Sequence, residues 1–177
     1  EVFREGAHGR EILIGINTYP AGKAELIPNI CLVNGKYWVH VDQKVSKKKK
    51  RPFSSDEKTY TLTIRERGRE TSDECEPNGE PLIAKSLTVP AVVKGFVNRI
   101  DDEDLFHLDL NKISPRSYLD IEIESPAATM LTIAIQNRAR QELYSLSGKS
   151  GAKLRVPNMA LLPGYSEYFL SVKGSEK

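Results

Sequence analysis

The stretch Asp104-Leu105-Phe106-His107-Leu108-Asp109-Leu110 alternates in a way that decides the predicted fold. Successive side chains of a β-strand point to opposite faces of the sheet. Phe106, Leu108 and Leu110 therefore share one face and are predicted to lie in a hydrophobic core. The opposite face, which begins with Leu105, is predicted to meet solvent or a neighbouring element. The stretch is typical of a β-strand with one buried face.

Similar alternating runs recur along the chain, each about five or six residues long, which is the usual strand length. Clusters of turn-forming residues such as Val33-Asn34-Gly35 separate them. Residues 135–146 are too poor in apolar positions for a helix face and are predicted as a strand, a polar turn and a strand. The pattern predicts an all-β sandwich, barrel or jelly roll. The other runs are Glu11–Ile16, Lys36–Val41, Thr59–Ile64, Tyr118–Ile123, Met130–Ile135 and Tyr168–Val172.

Composition excludes several classes of protein. The 177 residues suffice for one large β domain or two small ones, and the net charge of +2 draws the chain to neither nucleic acid nor an acidic membrane. No run of about 18 apolar residues is present, so no membrane insertion is expected. The two cysteines, Cys31 and Cys75, are too few for a zinc site. A single disulfide between them and two separate thiols both stay open.

Two segments, Ile27–Val41 and Val156–Val172, share a pattern of apolar-Pro-Asn-apolar, a Gly turn and a strand with adjacent aromatics. This match predicts a duplicated unit. The spacing leaves the first copy without its front half, so we expect a fragment of a longer multidomain chain. The alternative is that the N-terminal residues add strands to a single larger sandwich.

The stretch from Glu66 to Glu80 is polar and almost free of apolar residues, which is typical of a linker. The predicted organisation is therefore a partial β-sandwich unit over residues 1–68, a linker over 69–82 and a β-sandwich domain over 83–177.

Three short motifs carry a resemblance to a known family. They are Glu74-Cys75-Glu76-Pro77-Asn78, the acidic turn and strand Asp101–Phe106, and the aromatic strand that follows a turn at Gly164–Phe169. Together they resemble the bacterial pre-peptidase C-terminal domain family, to which the collagen-binding domains of clostridial collagenases are related. The resemblance implies a jelly-roll β-sandwich attached to a secreted or surface protein. It covers residues 74–172 well and residues 11–64 partly.

The resemblance also implies calcium. Calcium takes six to eight oxygen ligands from carboxylates and carbonyls. In an extended chain the alternating residues of the first motif project to one side, and two aspartates three positions apart can point at one place. Such residues also populate ordinary soluble turns, and Gly79 stands where the family usually has Asp. The implied ligands are Glu74, Glu76, Asn78, Asp101 and Asp104.

Two other groups of residues are candidates for binding a partner. Exposed aromatic rings bind sugars and peptides by flat contact, and those beside turns are Trp38, Tyr165 and Tyr168. A basic loop could contact phosphates or an acidic glycan, although a solvated loop tip is the simpler interpretation. Its members are Lys47, Lys48, Lys49, Lys50 and Arg51.

No sequence pattern predicts catalysis: nucleophile turns, metalloprotease helices and phosphate loops are missing, and the three histidines are scattered. We therefore predict a non-catalytic binding or positioning module of a secreted, cell-surface or periplasmic bacterial protein. Its partner would be a protein, a polysaccharide or another domain of the parent chain. The alternative is a structural spacer or assembly domain. An intracellular nucleic-acid binder led by the lysine run is the least favoured interpretation.

Overall fold

The computed structural model describes residues 1–6, 9–17, 19, 22–42, 59–97, 102–114, 116–160 and 167–175. These residues form ten β-strands and no helix, which confirms the all-β prediction. The strands are β1 (Val2–Gly6), β2 (Gly9–Ile14), β3 (Tyr37–Val39), β4 (Lys85–Thr88), β5 (Glu103–Asp109), β6 (Tyr118–Glu124), β7 (Met130–Asn137), β8 (Glu142–Ser147), β9 (Lys153–Ala160) and β10 (Tyr168–Ser175).

The chain divides into two units. The first contains residues 1–15 and 34–71, and the second contains residues 16–33 and 72–177. Residues 74–78, whose composition is typical of a linker, belong to the second unit and contain three of its buried polar side chains, Glu74, Glu76 and Asn78.

The second unit has a sandwich-like arrangement of two sheets. One sheet has five strands in the order β4-β5-β10-β7-β8, and the other pairs β6 with β9. In the larger sheet β10 runs antiparallel to both β5 and β7, whereas β4 runs parallel to β5. The jelly-roll winding of these strands stays a prediction.

Apolar side chains from both sheets form one core. Phe106 and Leu108 of β5 lie in this core, as the alternation predicts, and Leu110 packs against it while half-buried. Leu119 of β6 is buried, and Ile121 and Ile123 pack beside it. The remaining buried members are Leu87, Leu131, Ile133, Ile135, Leu154, Val156, Tyr168 and Val172.

On the opposite face of β5 one residue, Leu105, is buried, whereas Glu103, His107 and Asp109 are half-buried. Leu105 is 0% exposed, and its neighbours across the sheet, Ser171 and Phe169, are buried as well. Of the two surroundings predicted for Leu105, a neighbouring element is therefore the one observed. Alternation alone does not reveal which of the two surroundings a residue on this face has.

The first unit contains a three-stranded sheet in the order β2-β1-β3. Its register pairs Phe3 with Trp38, and the guanidinium of Arg10 lies 4.9 Å from the centre of the Trp38 ring. The predicted strand Thr59–Ile64 is wrong: this segment belongs to no sheet among the described residues, and its side chains are exposed. A strand needs a hydrogen-bonded partner as well as an alternating sequence.

Within the described part of the chain, no helix has the length and apolar character that crossing a bilayer requires.

Candidate cation site

Three carboxylates lie together inside the second unit. Glu74, Glu76 and Asp104 each offer a side-chain oxygen, and these oxygens lie within 4.8 Å of one another. The three residues are 1%, 6% and 5% exposed. Carboxylates are rarely this buried unless a proton, a countercharge or hydrogen bonds offset the cost of removing them from water.

Backbone hydrogen bonds hold the segment that carries two of these carboxylates. The Glu74 amide donates to the Lys94 carbonyl at 2.9 Å, and the Glu76 amide donates to the Asn29 carbonyl at 3.0 Å. The Cys31 amide in turn donates to the Glu76 carbonyl at 3.0 Å. Residues 74–76 therefore lie between two neighbouring segments, which fixes the direction of their alternating side chains.

Cys31 and Cys75 form a disulfide with their Cα atoms 5.3 Å apart. Of the two states that the sequence leaves open, the structure has the bonded one. Cys75 stands between Glu74 and Glu76, so the covalent link joins the 29–31 segment directly to the acidic cluster.

The Glu74 carboxylate has one satisfied and one unsatisfied oxygen. Its Oε1 accepts hydrogen bonds from Asn29 Nδ2 at 2.5 Å and from the Phe96 amide at 2.6 Å. Its Oε2 is buried without a hydrogen-bond donor, although a shared proton would bond Glu74 to Asp104. Gly95 makes room for the group, because a methyl group at this position would overlap the carboxylate.

Asn78 shows the same division between its two polar atoms. Its Nδ2 donates to Asp104 Oδ1 at 3.1 Å, whereas its Oδ1 is buried without a partner. Asn78 is 1% exposed, so bulk water does not compensate this oxygen. A buried acceptor without a donor or a cation costs free energy.

The electrostatics of the cluster are those of crowded carboxylates. Burial, and then the charge of Asp104, raise the pKa of Glu74 to about 9. Burial, and then the charge of Asp102, raise the pKa of Asp104 to about 6. The two carboxyls titrate as a pair, and one proton between them relieves the repulsion near neutral pH. A bound cation would relieve it in place of that proton.

Glu74 and Asp104 also border open space. They contribute to the wall of a cavity of about 830 Å³ in the second unit. Most of the wall is apolar and includes Val93, Phe106 and Leu119. Glu76 and Asn78 do not line this cavity, so two of the four oxygen-bearing side chains border it.

The donor set fits a hard cation. All four side chains, from Glu74, Glu76, Asn78 and Asp104, present oxygen, and oxygen ligands suit calcium or magnesium rather than zinc or copper. The partnerless oxygens of Glu74 and Asn78 are the atoms that such an ion would satisfy. The arrangement can therefore bind a cation.

The other predicted site residues lie elsewhere. Trp38 is half-buried in β3 beneath Arg10. Tyr168 is 3% exposed and belongs to the core, so a ligand at the surface would not reach its ring. Asp101, Tyr165 and the basic loop Lys47–Arg51 lie outside the described residues.

Three contributors to the site were missed by sequence reasoning: the side chain of Asn29, the amide of Phe96 and the space at Gly95. The two cysteines carried a usable signal. Asn29 precedes Cys31 by two positions and Glu74 directly precedes Cys75, so a disulfide would have brought them together.

Comparison with known proteins adds no family to this picture: the chain matches no protein-family model, no curated protein and no solved structure.

Proposed function

We propose that this chain is a non-catalytic binding or positioning module in which the acidic cluster holds a calcium ion. The observation that carries the proposal is the close group of three buried carboxylates, Glu74, Glu76 and Asp104, in which Glu74 Oε2 has no hydrogen-bond donor. Asn78, whose Oδ1 also lacks a partner, is bonded to Asp104 through its Nδ2. These four side chains would hold the ion. The resemblance to the pre-peptidase C-terminal family implies Asp101 as a further ligand, and this residue lies outside the described residues.

The energetics support a cation over an empty cluster. An ionised carboxylate taken out of water without a partner costs several kcal/mol, and the group otherwise keeps a proton. A divalent ion offsets this cost for several carboxylates at once. Since the raised pKa values of Glu74 and Asp104 arise first from burial, a cation at this place would bind by displacing protons.

A bound ion would join the segment that precedes β4 to strand β5. Glu74, Glu76 and Asn78 lie on the segment of the second unit that precedes β4, whereas Asp104 lies near the start of β5 in the five-stranded sheet. Calcium between them would fix the course of that segment relative to the sheet. This is the positioning role that we propose.

The surroundings that suit this role are extracellular, cell-surface or periplasmic. A disulfide persists in oxidising compartments, and the Cys31–Cys75 bond supports such a location. Calcium sites of extracellular modules have dissociation constants of roughly 10⁻⁴–10⁻³ M. The proposed partner is a protein, a polysaccharide or another domain of a longer bacterial chain.

Thermal melts with excess calcium and with chelator test the proposal, on the wild type and on Asp104→Ala. An ion that binds only the folded chain stabilises it by about 2.7 kcal/mol at a hundred times its dissociation constant. We expect a calcium-dependent rise in Tm that Asp104→Ala loses. Glu142→Ala, at an exposed carboxylate of β8 that does not line the cavity, is the control and should keep the rise. Coincident wild-type melts in both conditions would refute the calcium site.

A structural spacer is the second candidate, and one observation favours it. Tyr168, one of the three aromatic residues predicted to bind a partner, is buried, although Tyr118 and Tyr144 of the sandwich are exposed. Pull-down with insoluble polysaccharide and with fibrillar collagen separates the two candidates. Saturable binding to either supports the binding module, and binding to neither supports the spacer.

A further inference from the structure

Two hydrogen-bond donors converge on one oxygen of Glu74. Asn29 Nδ2 and the Phe96 amide both donate to Oε1, at 2.5 and 2.6 Å. This leaves Oε2 as the oxygen without a partner. The two donors therefore set the orientation of the carboxylate and leave one of its oxygens for a cation.

Asn29 reaches this place from a distant part of the sequence. It lies 45 positions before Glu74, and it is 6% exposed. Two backbone hydrogen bonds with Glu76 and the Cys31–Cys75 disulfide hold its segment against the cluster. Among the described residues, this disulfide is the only covalent cross-link that holds the Asn29 segment next to Glu74.

We propose that Asn29 is a positioning residue of the cation site, and that the Cys31–Cys75 disulfide makes the cation affinity depend on the redox state of the two cysteines. The inference rests on the proposed function and adds the disulfide as a structural support of the site. Oxidised protein would bind calcium tightly, and reduced protein would bind it more weakly.

The physical reason is the freedom of the 29–31 segment. A dithiol reduces the disulfide by giving up two electrons and two protons; the Sγ–Sγ bond breaks, Cys31 and Cys75 become thiols, and the dithiol closes into its own disulfide. The link across 44 positions is then lost, and Asn29 spends less time on Glu74. Loss of a partner that orients a ligand costs roughly 10–100-fold in metal affinity.

Linkage makes the effect reciprocal. If reduction weakens calcium binding by some factor, saturating calcium must disfavour reduction by the same factor. Calcium would therefore protect the disulfide against a dithiol, although the ion touches neither sulfur.

The first experiment measures calcium affinity in both redox states by titration calorimetry, with dithiothreitol as the reductant and far below the melting temperature. We expect the reduced wild type to bind roughly 10–100-fold more weakly than the oxidised wild type. The double variant Cys31→Ser/Cys75→Ser should match the reduced wild type and show no response to dithiothreitol. Equal affinities in all three samples would overturn the inference and leave the proposed calcium site standing.

The second experiment removes the amide while keeping the disulfide. Asn29→Ala should weaken calcium binding of the folded protein by about 10-fold or more. Asn34→Ala, at an exposed asparagine of the first unit, is the matched control and should bind as the wild type does. A purely structural role for Asn29 would lower the melting temperature without changing the affinity, and that result would overturn the inference.

The two proposals fail differently. If the oxidised wild type binds no calcium, the proposed function and this inference fall together. If it binds calcium and the Asn29→Ala and cysteine variants bind equally well, only this inference falls. Greater resistance of the wild-type disulfide to dithiothreitol in saturating calcium would support the inference through a readout independent of the titration.

Discussion

Two groups of carboxylates in the second unit have opposite surroundings. On the exposed face of β6 and β9, the carboxylates of Asp120 and Glu122 are paired with Lys153 and Arg155, with a Lys153 Nζ to Glu122 oxygen distance of 2.7 Å. Around Glu74, the charges that act most strongly come from other carboxylates. We call the first group the surface ladder and the second the buried cluster.

The pKa values show the difference directly. A hydrogen bond from Lys153, together with its charge, lowers the pKa of Glu122, whereas burial raises the pKa of Glu74 to about 9. The ladder has its countercharges in the chain. For Glu74 and Asp104 burial is the largest cause of the raised pKa, so these two carboxyls would take up protons or a cation from solution.

The largest expected effect is on calcium-dependent stability, when the same Glu-to-Gln change is made once in each group. Glu74→Gln should abolish most of the calcium-dependent stabilisation, about 2.7 kcal/mol at a hundred times the dissociation constant. Glu122→Gln should keep it, because that carboxylate already has Lys153 as partner. Urea unfolding with calcium or chelator measures both. Equal calcium responses in the two variants would show that the buried cluster does not bind calcium any differently from the surface ladder.

A methyl group at Gly95 should disturb the cluster without changing any charge. Gly95→Ala places that group on the Glu74 carboxylate, and overpacking of this kind costs about 1–3 kcal/mol. Gly68→Ala is the control, since its methyl group would meet no atom within 4 Å. Chemical unfolding in chelator gives the stability of each variant. A Gly95→Ala protein as stable and as responsive to calcium as Gly68→Ala would contradict the assigned geometry.

The pH dependence of stability should have opposite signs in the two groups. The pKa of Glu74 is raised from 4.5 to about 9, so between these values the folded chain keeps a proton that the unfolded chain has lost. The stability of calcium-free protein should therefore fall as the pH rises through this window, by at most about 1.4 kcal/mol per pH unit for one proton. Glu122, with its lowered pKa, stabilises above its unfolded pKa and loses this contribution in acid.

Urea unfolding in chelator at about pH 5, 7 and 9 measures the slope, and Glu74→Gln should flatten it. Excess calcium should flatten it as well, because the ion replaces the proton. The prediction is contradicted if the free energy of unfolding in chelator rises with pH across this window and Glu74→Gln shows the same slope as the wild type. Glu74 would then be ionised in the folded protein.

The smallest effect is expected from salt on the ladder. Exposed ion pairs contribute little and are screened, so Lys153→Gln should lower the melting temperature slightly in dilute buffer and not at all in concentrated sodium chloride. The calcium response of the wild type should persist in the same salt, because the cluster is buried. A large, salt-resistant loss in Lys153→Gln would mean that the ladder is a structural centre in its own right.

Much of the fold could be predicted because alternation reports burial locally. The runs at Tyr118–Ile123, Met130–Ile135 and Tyr168–Val172 all fall within observed strands, and Phe106 and Leu108 are in the core. The failure at Thr59–Ile64 has a physical cause, since the same alternation does not state whether a partner strand exists.

Part of the candidate site could be predicted from the sequence for the same reason. The alternation of Glu74, Glu76 and Asn78 is local, and all three are buried. The approach of Asn29 across 45 positions and the partnerless state of Glu74 Oε2 depend on tertiary structure, which no local pattern contains.

Calcium titration calorimetry on chelator-treated, oxidised protein tests the central claim most directly, with Asp104→Asn as the paired sample. The buried cluster predicts saturable binding of about one ion per chain in the wild type, and a loss of this binding in Asp104→Asn. Absence of binding to the wild type, or identical binding by both proteins, would contradict the assignment of the cluster as a cation site.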